Sequence, residues 1–294
     1  MTQSARVAAQ AKVNLLLHIL GREVSGFHSI ETVFLRLELA DAVTVRVADG
    51  RSIDCDGPSL PPTGLGRAED NLAFRAAAAY AGATGWPKGF AIELTKRIPV
   101  GGGLGGGSAD AGAVLRALDA MSPVPLGPRL PALAASLGSD VAFMATDTPM
   151  ALAWGRGERL LALPGLEPRP ALLVTPDFAI ATAEAYGWLS SDREQFTPTG
   201  AVLTASSLAT WAGMATVATN DFEPVVSRRR PVIAHAVHAL RSEGALIAML
   251  SGSGSVVFGI FNGKPDAAGV HTPGGCSTLC TRTSDRVVRV ELDQ

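Results

Sequence analysis

The stretch KRIPVGGGLGGGSADAGAVLRALDAM, residues 96–121, decides how the rest of the chain is read. Six of the seven residues from 101 to 107 are glycine. Each glycine held in one conformation destabilises a fold by roughly 0.5–1 kcal/mol relative to alanine. Directly after the run, Ala111, Val114, Leu115, Leu118 and Met121 recur at helical spacing. A bare loop feeding a helix start makes an anion site. Phosphate oxygens can approach the N–H groups, and the helix dipole adds about half a positive charge. A Walker A loop needs a lysine after the glycines, and none follows. A dinucleotide fingerprint can be laid on Gly101, Gly103 and Gly106. It requires a strand ending in an acid about 20 residues on, where this chain has MSPVPLG. A purely structural glycine turn is the remaining alternative.

Upstream, GFAIELTKRIP reads as a strand stopped by Pro99. Asp70 or Asn71 caps a helix through NLAFRAAAAYAGA that ends near Gly82 or Gly85. The Pro/Gly-rich DGPSLPPTGLGRAED is loop. RVAAQAKVNLLLHIL and FLRLELADAVTVRVA carry alternating or β-branched runs and read as strands joined by VSGFHS. Downstream, PRLPALAASLG is a short helix closing at Gly138, and SDVAFMA begins at once. The turn-rich WGRGERLLALPGLEPRP marks a boundary that divides the chain into residues 1–160 and 161–294. Beyond it come a strand (ALLVTP), a helix opening near Thr182, and an Ala/Ser/Thr-rich stretch. A helix from about Pro231 to Glu243 follows, then a strand–loop–strand (ALIAMLSGSGSVVFGIF) and a last strand, RVVRVELD. Strands and helices mix without strict βαβ alternation, so the expected class is α+β.

The 294 residues suffice for two modest domains. Apolar residues make up 47% and charged residues 18%, which favours a packed core over disorder. The formal net charge of −2, with no Lys/Arg block, argues against non-specific nucleic-acid binding. No apolar run reaches the ~20 residues of a membrane span, and the first residues lack the apolar core of a secretory signal. The three cysteines, Cys55, Cys276 and Cys280, are an odd and sparse set, which points to reduced thiols and a cytoplasmic location. Cys276, Cys280 and His271 are candidate metal ligands without paired spacing, so free thiols are expected. His235 and His238 are expected on an exposed helix.

The pattern IPVGGGLGGGSADAG resembles the phosphate-binding motif of the GHMP kinases, where the loop wraps the ATP phosphates without a Walker lysine. Further blocks are similar to one family among them, the 4-diphosphocytidyl-2-C-methyl-D-erythritol kinases. They are AKVNLLLHILGREVSGFHSIETVF (residues 11–34), GSDVAFM (138–144), WGRGERL, TPDFAIATAEAY, NDFEPVV and AMLSGSGSVVFGIF. They run from residue 11 to residue 261, while the last thirty residues match none. The chain departs from the pattern at Ala109, where the family has a second serine, at Ala142, where it has proline, and at Phe27, where it has tyrosine.

The resemblance implies a two-domain fold, an N-terminal β/α domain and a C-terminal ferredoxin-like α/β sandwich. The implied activity is ATP-dependent phosphorylation of the substrate's 2-hydroxyl, in non-mevalonate isoprenoid synthesis. It places Asp140 as the base or orienter of that hydroxyl and Lys12 beside it. Asn14 lies two residues on, hence on the same face of the strand, facing substrate. Phe27 and His28 resemble the cytosine-reading pair, with Tyr186 closing on the base. Gly101, Gly102, Gly103, Leu104, Gly105, Gly106, Gly107 and Ser108 form the phosphate cradle. Ser108 caps the helix and reaches a phosphate or the Mg²⁺, which ATP itself mainly holds. Asp110, in the first turn, reads as a carboxylate favourable to the dipole. Asn71 and Lys96 fall near the adenine; Gly252 and Gly254 form a second close-approach loop at the substrate phosphates. The expected partner is the small-molecule substrate, with no nucleic acid and no membrane, in a monomer or weak homodimer.

Overall fold

The computed structural model describes residues 4–24, 26–192, 203–267, 270 and 274–293. The two N-terminal runs form a long antiparallel hairpin, β1 (Ser4–Arg22) and β2 (His28–Ala48). Burial along β1 alternates at its start and is continuous from Ala9 to Ile19. There, helices cover one face and C-terminal elements meet the other. Next come β3 (Arg51–Asp56), α1 (Leu72–Thr84) and β4 (Gly89–Thr95). Asn71 Oδ1 accepts the Ala73 N–H at 2.9 Å and so caps α1. The helix stops at Gly85, whose φ of 73° is left-handed.

The helices α2 (Gly106–Met121), α3 (Leu130–Leu137) and α4 (Ser139–Met144) follow, then β5 (Met150–Gly155) and β6 (Arg159–Leu163). β2 splits its remaining edge: its C-terminal half pairs β4 and its N-terminal half pairs β5. α1 to α4 pack together, with α2 against β1, and bury Leu104, Val114, Leu118, Phe143 and Tyr80 with Leu15, Phe34 and Ile92 of the sheet.

The second half supplies β7 (Pro170–Pro176), α5 (Thr182–Ser191), α6 (Ala205–Ala209), α7 (Trp211–Val217) and β8 (Thr219–Asn220). It continues with α8 (Phe222–Arg229), α9 (Pro231–Ser242), β9 (Ile247–Leu250), β10 (Val257–Ile260), β11 (Cys276–Arg282) and β12 (Glu291–Leu292). Four of these strands form a sheet in the order β11-β7-β10-β9, which is 4-1-3-2 in chain order and ferredoxin-like. Its residues alternate. Leu173, Met249, Phe258 and Ile260 join the core of the first sheet, whereas Leu172, Val174, Leu250 and Val257 pack with Leu189, Val226 and Val237 of α5, α8 and α9.

The sequence assigns no element to β3, β5, β6, α6, α7, β8, α8 or β11, and the turn-rich boundary segment holds β6. One expected strand is overextended. RVVRVELD forms a strand at β12 alone, which pairs with β1. Over 286–290, side chains replace the ladder: Gln10 Oε1 accepts the Val288 N–H at 3.0 Å, and Arg116 Nη2 donates to the Val288 carbonyl at 2.5 Å. Cys276 and Cys280 lie on one strand four residues apart, roughly 13 Å, too far to share an ion. His271 lies outside the described residues. Among the described residues, no three His, Cys, Asp or Glu groups could hold a metal ion, and no helix is long and apolar enough to cross a membrane.

Candidate active site

The glycine loop runs between β4 and α2. The carbonyls of Gly102, Gly103 and Leu104 are taken by the protein. Gly102 O accepts from Val256 N at 3.0 Å and Leu104 O from Lys12 N at 3.0 Å. Gly103 O accepts from Lys12 Nζ at 3.1 Å and from Ser251 Oγ at 2.9 Å. The loop is thereby tied to β1 and to the β9–β10 loop. The N–H groups in the first turn of α2 have no intrahelical acceptor, and Gly106, Gly107 and Ser108 line a cavity of about 390 Å³.

Most of the glycines answer to the chain's own packing. Gly101, Gly103 and Gly105 have φ of 75°, 81° and 70°. A Cβ on Gly103 would sit 2.1 Å from Ser251 O, and one on Gly102 would sit 2.5 Å from Val256 Cγ2. Gly107 differs: a Cβ there meets nothing within 4 Å. The helix begins at Gly106 with Gly105 as its N-cap, so Ser108 is not the cap. It stands in the first turn, inside the same cavity.

Beneath the loop lies a buried charge cluster. Lys96 Nζ bonds both Asp41 and Asp110, the latter at 2.5 Å. Asp41 also accepts the Ile98 N–H at 2.8 Å, fixing the chain as it leaves β4. Asp110 is therefore not an exposed partner of the helix dipole: Lys96 holds its Oδ2, while its Oδ1 is buried without a partner among the described residues, at the wall of the smaller cavity. Burial pushes its carboxyl up to about 7, against the pull of Lys96. Burial lowers the Lys96 ammonium, but Asp110 and Asp41 outweigh it and the net shift is upward. Lys96 and Asn71 both line the smaller cavity, Lys96 with its ammonium engaged and Asn71 as the α1 cap.

A second cavity, about 880 Å³, opens on the other side of the loop, and the two share Gly103 and Gly105. Lys12, Asn14, Phe27, His28, Asp140, Tyr186 and Gly252 line the larger one. Gly254 lines neither. Its φ is 95°, and a Cβ there would meet Leu250 and Ile180, so it shapes the turn from within. At the junction, Lys12 is 3% exposed. Its Nζ donates to Asn14 Oδ1 at 2.7 Å and stands 3.3 Å from Asp140 Oδ2. Asn14 Nδ2 donates to Thr32 Oγ1 at 2.8 Å, and Thr32 Oγ1 to the Leu16 carbonyl at 2.6 Å, which fixes the amide. Asp140, in the first turn of α4, keeps about a third of its side chain exposed.

At the far end of the larger cavity, the His28 ring stacks on Tyr186 with centroids 4.2 Å apart and planes 14° apart. Phe222 meets Tyr186 edge-on at 4.9 Å. A sandwich between Phe27 and Tyr186 is therefore not preformed. His28 covers one face of Tyr186, and Phe27, 58% exposed, lines the cavity apart from Tyr186. Burial, with the charge of Asp140 second, pushes the Tyr186 phenol up to about 12.

Several contributors had no individual signal in the sequence. Arg36 is 1% exposed and donates to the carbonyls of Phe143, Met144 and Thr146 at 3.0–3.1 Å, closing the C-terminal end of the helix that carries Asp140. Asn220 Nδ2 holds the carbonyls of Leu250 and Gly252, both at 2.8 Å, and so sets the β9–β10 loop. Arg156, Thr182 and Ser253 complete the wall of the larger cavity. Asn220 and Arg156 sit in blocks that the family resemblance had marked, NDFEPVV and WGRGERL.

With this geometry in hand, the comparisons with known proteins are specific. A model described as the GHMP kinases N terminal domain matches residues 71–152, and one for the GHMP kinases C terminal matches residues 202–272. The 4-diphosphocytidyl-2-C-methyl-D-erythritol kinase of Salinibacter ruber is 39% identical, over 86% of this chain and 88% of that protein. The protein of the same name from Solidesulfovibrio magneticus is 41% identical, over 87% and 88%. A crystal structure of 4-(cytidine 5'-diphospho)-2C-methyl-D-erythritol kinase superposes with a TM-score of 0.76 at 33% identity, covering 95% of this chain and 99% of that one. The chain belongs to the 4-diphosphocytidyl-2-C-methyl-D-erythritol kinase family of the GHMP kinases.

Proposed function

We propose, on the strength of that membership, that the chain transfers the γ-phosphoryl group of ATP to the 2-hydroxyl of 4-diphosphocytidyl-2-C-methyl-D-erythritol. The observation that carries the reading is the Lys12–Asp140 pair, 3.3 Å apart where two cavities meet at the glycine loop. Phosphoryl transfer is mostly positioning and charge stabilisation, and both are built here. The first turn of α2 cradles the phosphates, with Gly107 leaving the space they need. Asn71 and the Lys96 end of the smaller cavity take the nucleoside side. Residues 1–160 supply this cradle, Lys12 and Asp140; residues 161–294 contribute Tyr186 and the β9–β10 loop.

Asp140 accepts or orients the proton of the attacking hydroxyl from the larger cavity. Lys12 holds Asp140 and the Gly103 carbonyl together and places a positive charge against the phosphoryl group in transit. Asn14, locked by Thr32, keeps the ammonium on that line. Mg²⁺ neutralises phosphate charge in such reactions. The ion would be carried mainly by ATP, with Ser108 Oγ, on the wall of the smaller cavity, as its protein contact. The Phe27, His28 and Tyr186 end receives the cytosine. Stacking supplies affinity for any base, so the choice of cytosine falls to hydrogen bonds from His28.

The test is ADP release with ATP and Mg²⁺ across a panel of the cytidine substrate, its uridine analogue, homoserine and mevalonate. The cytidine substrate should turn over with the highest kcat/KM. Preference for homoserine or mevalonate would place the chain elsewhere among small-alcohol kinases. Absence of turnover with every alcohol would make it a nucleotide-binding protein without this activity.

A further inference from the structure

Phe27 is a phenylalanine on a hairpin turn, more than half exposed, and such a ring does not hold itself in place. The turn is closed by Glu23 N to Phe27 O at 2.7 Å and Gly26 N to Glu23 O at 2.9 Å. The ring is met from outside by the β5–β6 turn. In that turn Gly155 and Gly157 take φ of 74° and 105°, and Glu158 Oε2 accepts the Arg156 N–H at 2.7 Å. From its tip the Arg156 guanidinium crosses to the hairpin. Nε and Nη2 donate to Glu23 Oε2 at 3.1 and 2.6 Å, which occupies the edge of the guanidinium. Its Cζ lies over the Phe27 ring, 4.1 Å from the centroid. A guanidinium over a ring, with its edge in an ion pair, is an arrangement that lysine cannot reproduce.

We propose that Arg156 is a specificity-positioning residue: clamped by Glu23, it backs Phe27 and fixes that ring as a wall of the base-binding end of the larger cavity. This rests on the reading that the cytosine binds at Phe27. Arg156 then acts on the substrate through Phe27 rather than by its charge.

The test measures kcat and both KM values for Arg156→Gln, Arg156→Lys, Phe27→Ala and the Arg156→Gln/Phe27→Ala double variant. Arg156→Gln should raise KM for the cytidine substrate about three- to fivefold, leaving kcat and the KM for ATP as they are. Arg156→Lys, which keeps the charge and loses the plane, should behave like Arg156→Gln. In the Phe27→Ala background, Arg156→Gln should add nothing. Full recovery with lysine, or an undiminished effect without Phe27, would mean that the charge contacts the substrate directly, and the proposal falls. It falls alone if Phe27→Ala raises KM and Arg156→Gln does not. If Phe27→Ala leaves KM unchanged, the base is bound elsewhere and the underlying reading falls with it.

Discussion

An ammonium has three protons to donate, and Lys12 has three oxygens around it: Asn14 Oδ1, Gly103 O and Asp140 Oδ2. It is a post joining strand, loop and carboxylate. Lys-x-Asn on a strand was enough to put both side chains on one face; the amide's lock on Thr32, eighteen residues away, depends on hairpin register that no local pattern carries. Arg36 shows the limit more sharply. The alternation in FLRLELA gives no reason to bury an arginine, and it is buried because the end of α4 arrives there with unpaired carbonyls. At the base end, His28→Ala should narrow the cytidine-to-uridine ratio of kcat/KM by about 1–3 kcal/mol, the cost of a mispaired polar edge. Because Tyr186 backs the imidazole, Tyr186→Ala should narrow it too, while Phe27→Ala weakens both analogues alike. An unchanged ratio in His28→Ala would move base reading to another residue. Asp110 gives a pH signature. Its folded carboxyl is raised from 3.8 to about 7, so the folded state binds that proton more tightly than the unfolded state does. Its contribution favours folding at low pH and is lost as pH rises from about 4 to about 7. Melting temperatures at pH 5 and pH 8 should differ less in Asp110→Asn than in the wild type; an equal difference would show that this carboxyl does not carry the slope.

The glycine loop and α2 form one element with two jobs. As a sequence, the run points to a phosphate, with a purely structural turn as the alternative. In the fold the positions divide: packing requires some of the glycines and leaves others without a packing reason. Gly103 is needed because Ser251 O lies where its Cβ would be, whereas Gly107 meets open space. The two substitutions should therefore separate. Gly107→Val should raise the KM for ATP tenfold or more, as a side chain enters the phosphate space, with the melting temperature kept or slightly raised since glycine is a poor helix former. Gly103→Ala should lower the melting temperature through strain and the clash. A Gly107→Val enzyme with wild-type KM for ATP would remove the phosphates from this helix start. The helix itself was legible from its periodicity, but its first residue was not. A glycine N-cap has no side chain to announce it, so the serine two residues inside the helix took that place in the reading. α8 was missed for a similar reason: eight residues with a proline at its third position give little periodic signal.

At the scale of the molecule, the α+β class and the strands β7, β9 and β10 are legible in the sequence, whereas β11, which completes the 4-1-3-2 sheet, carries no such signal. The return of the chain end to β1 is not legible either, because Gln10 and Arg116 side chains stand in for a strand ladder there. What the whole fold achieves is a junction. The β9–β10 loop is bonded onto the glycine loop, two cavities share its middle glycines, and the buried lysine and half-open aspartate face each other at that point. On the proposed function, binding belongs to the cavities and chemistry to the junction, so the two are separable. The direct test is a single-turnover experiment with enzyme in excess over ATP and the cytidine substrate, comparing the wild type with Asp140→Asn, with the affinity for each ligand measured alongside. The account predicts affinities close to wild type and a phosphoryl-transfer rate lower by about 10²–10⁴-fold. Transfer at a near wild-type rate by Asp140→Asn, with both ligands bound, would contradict it.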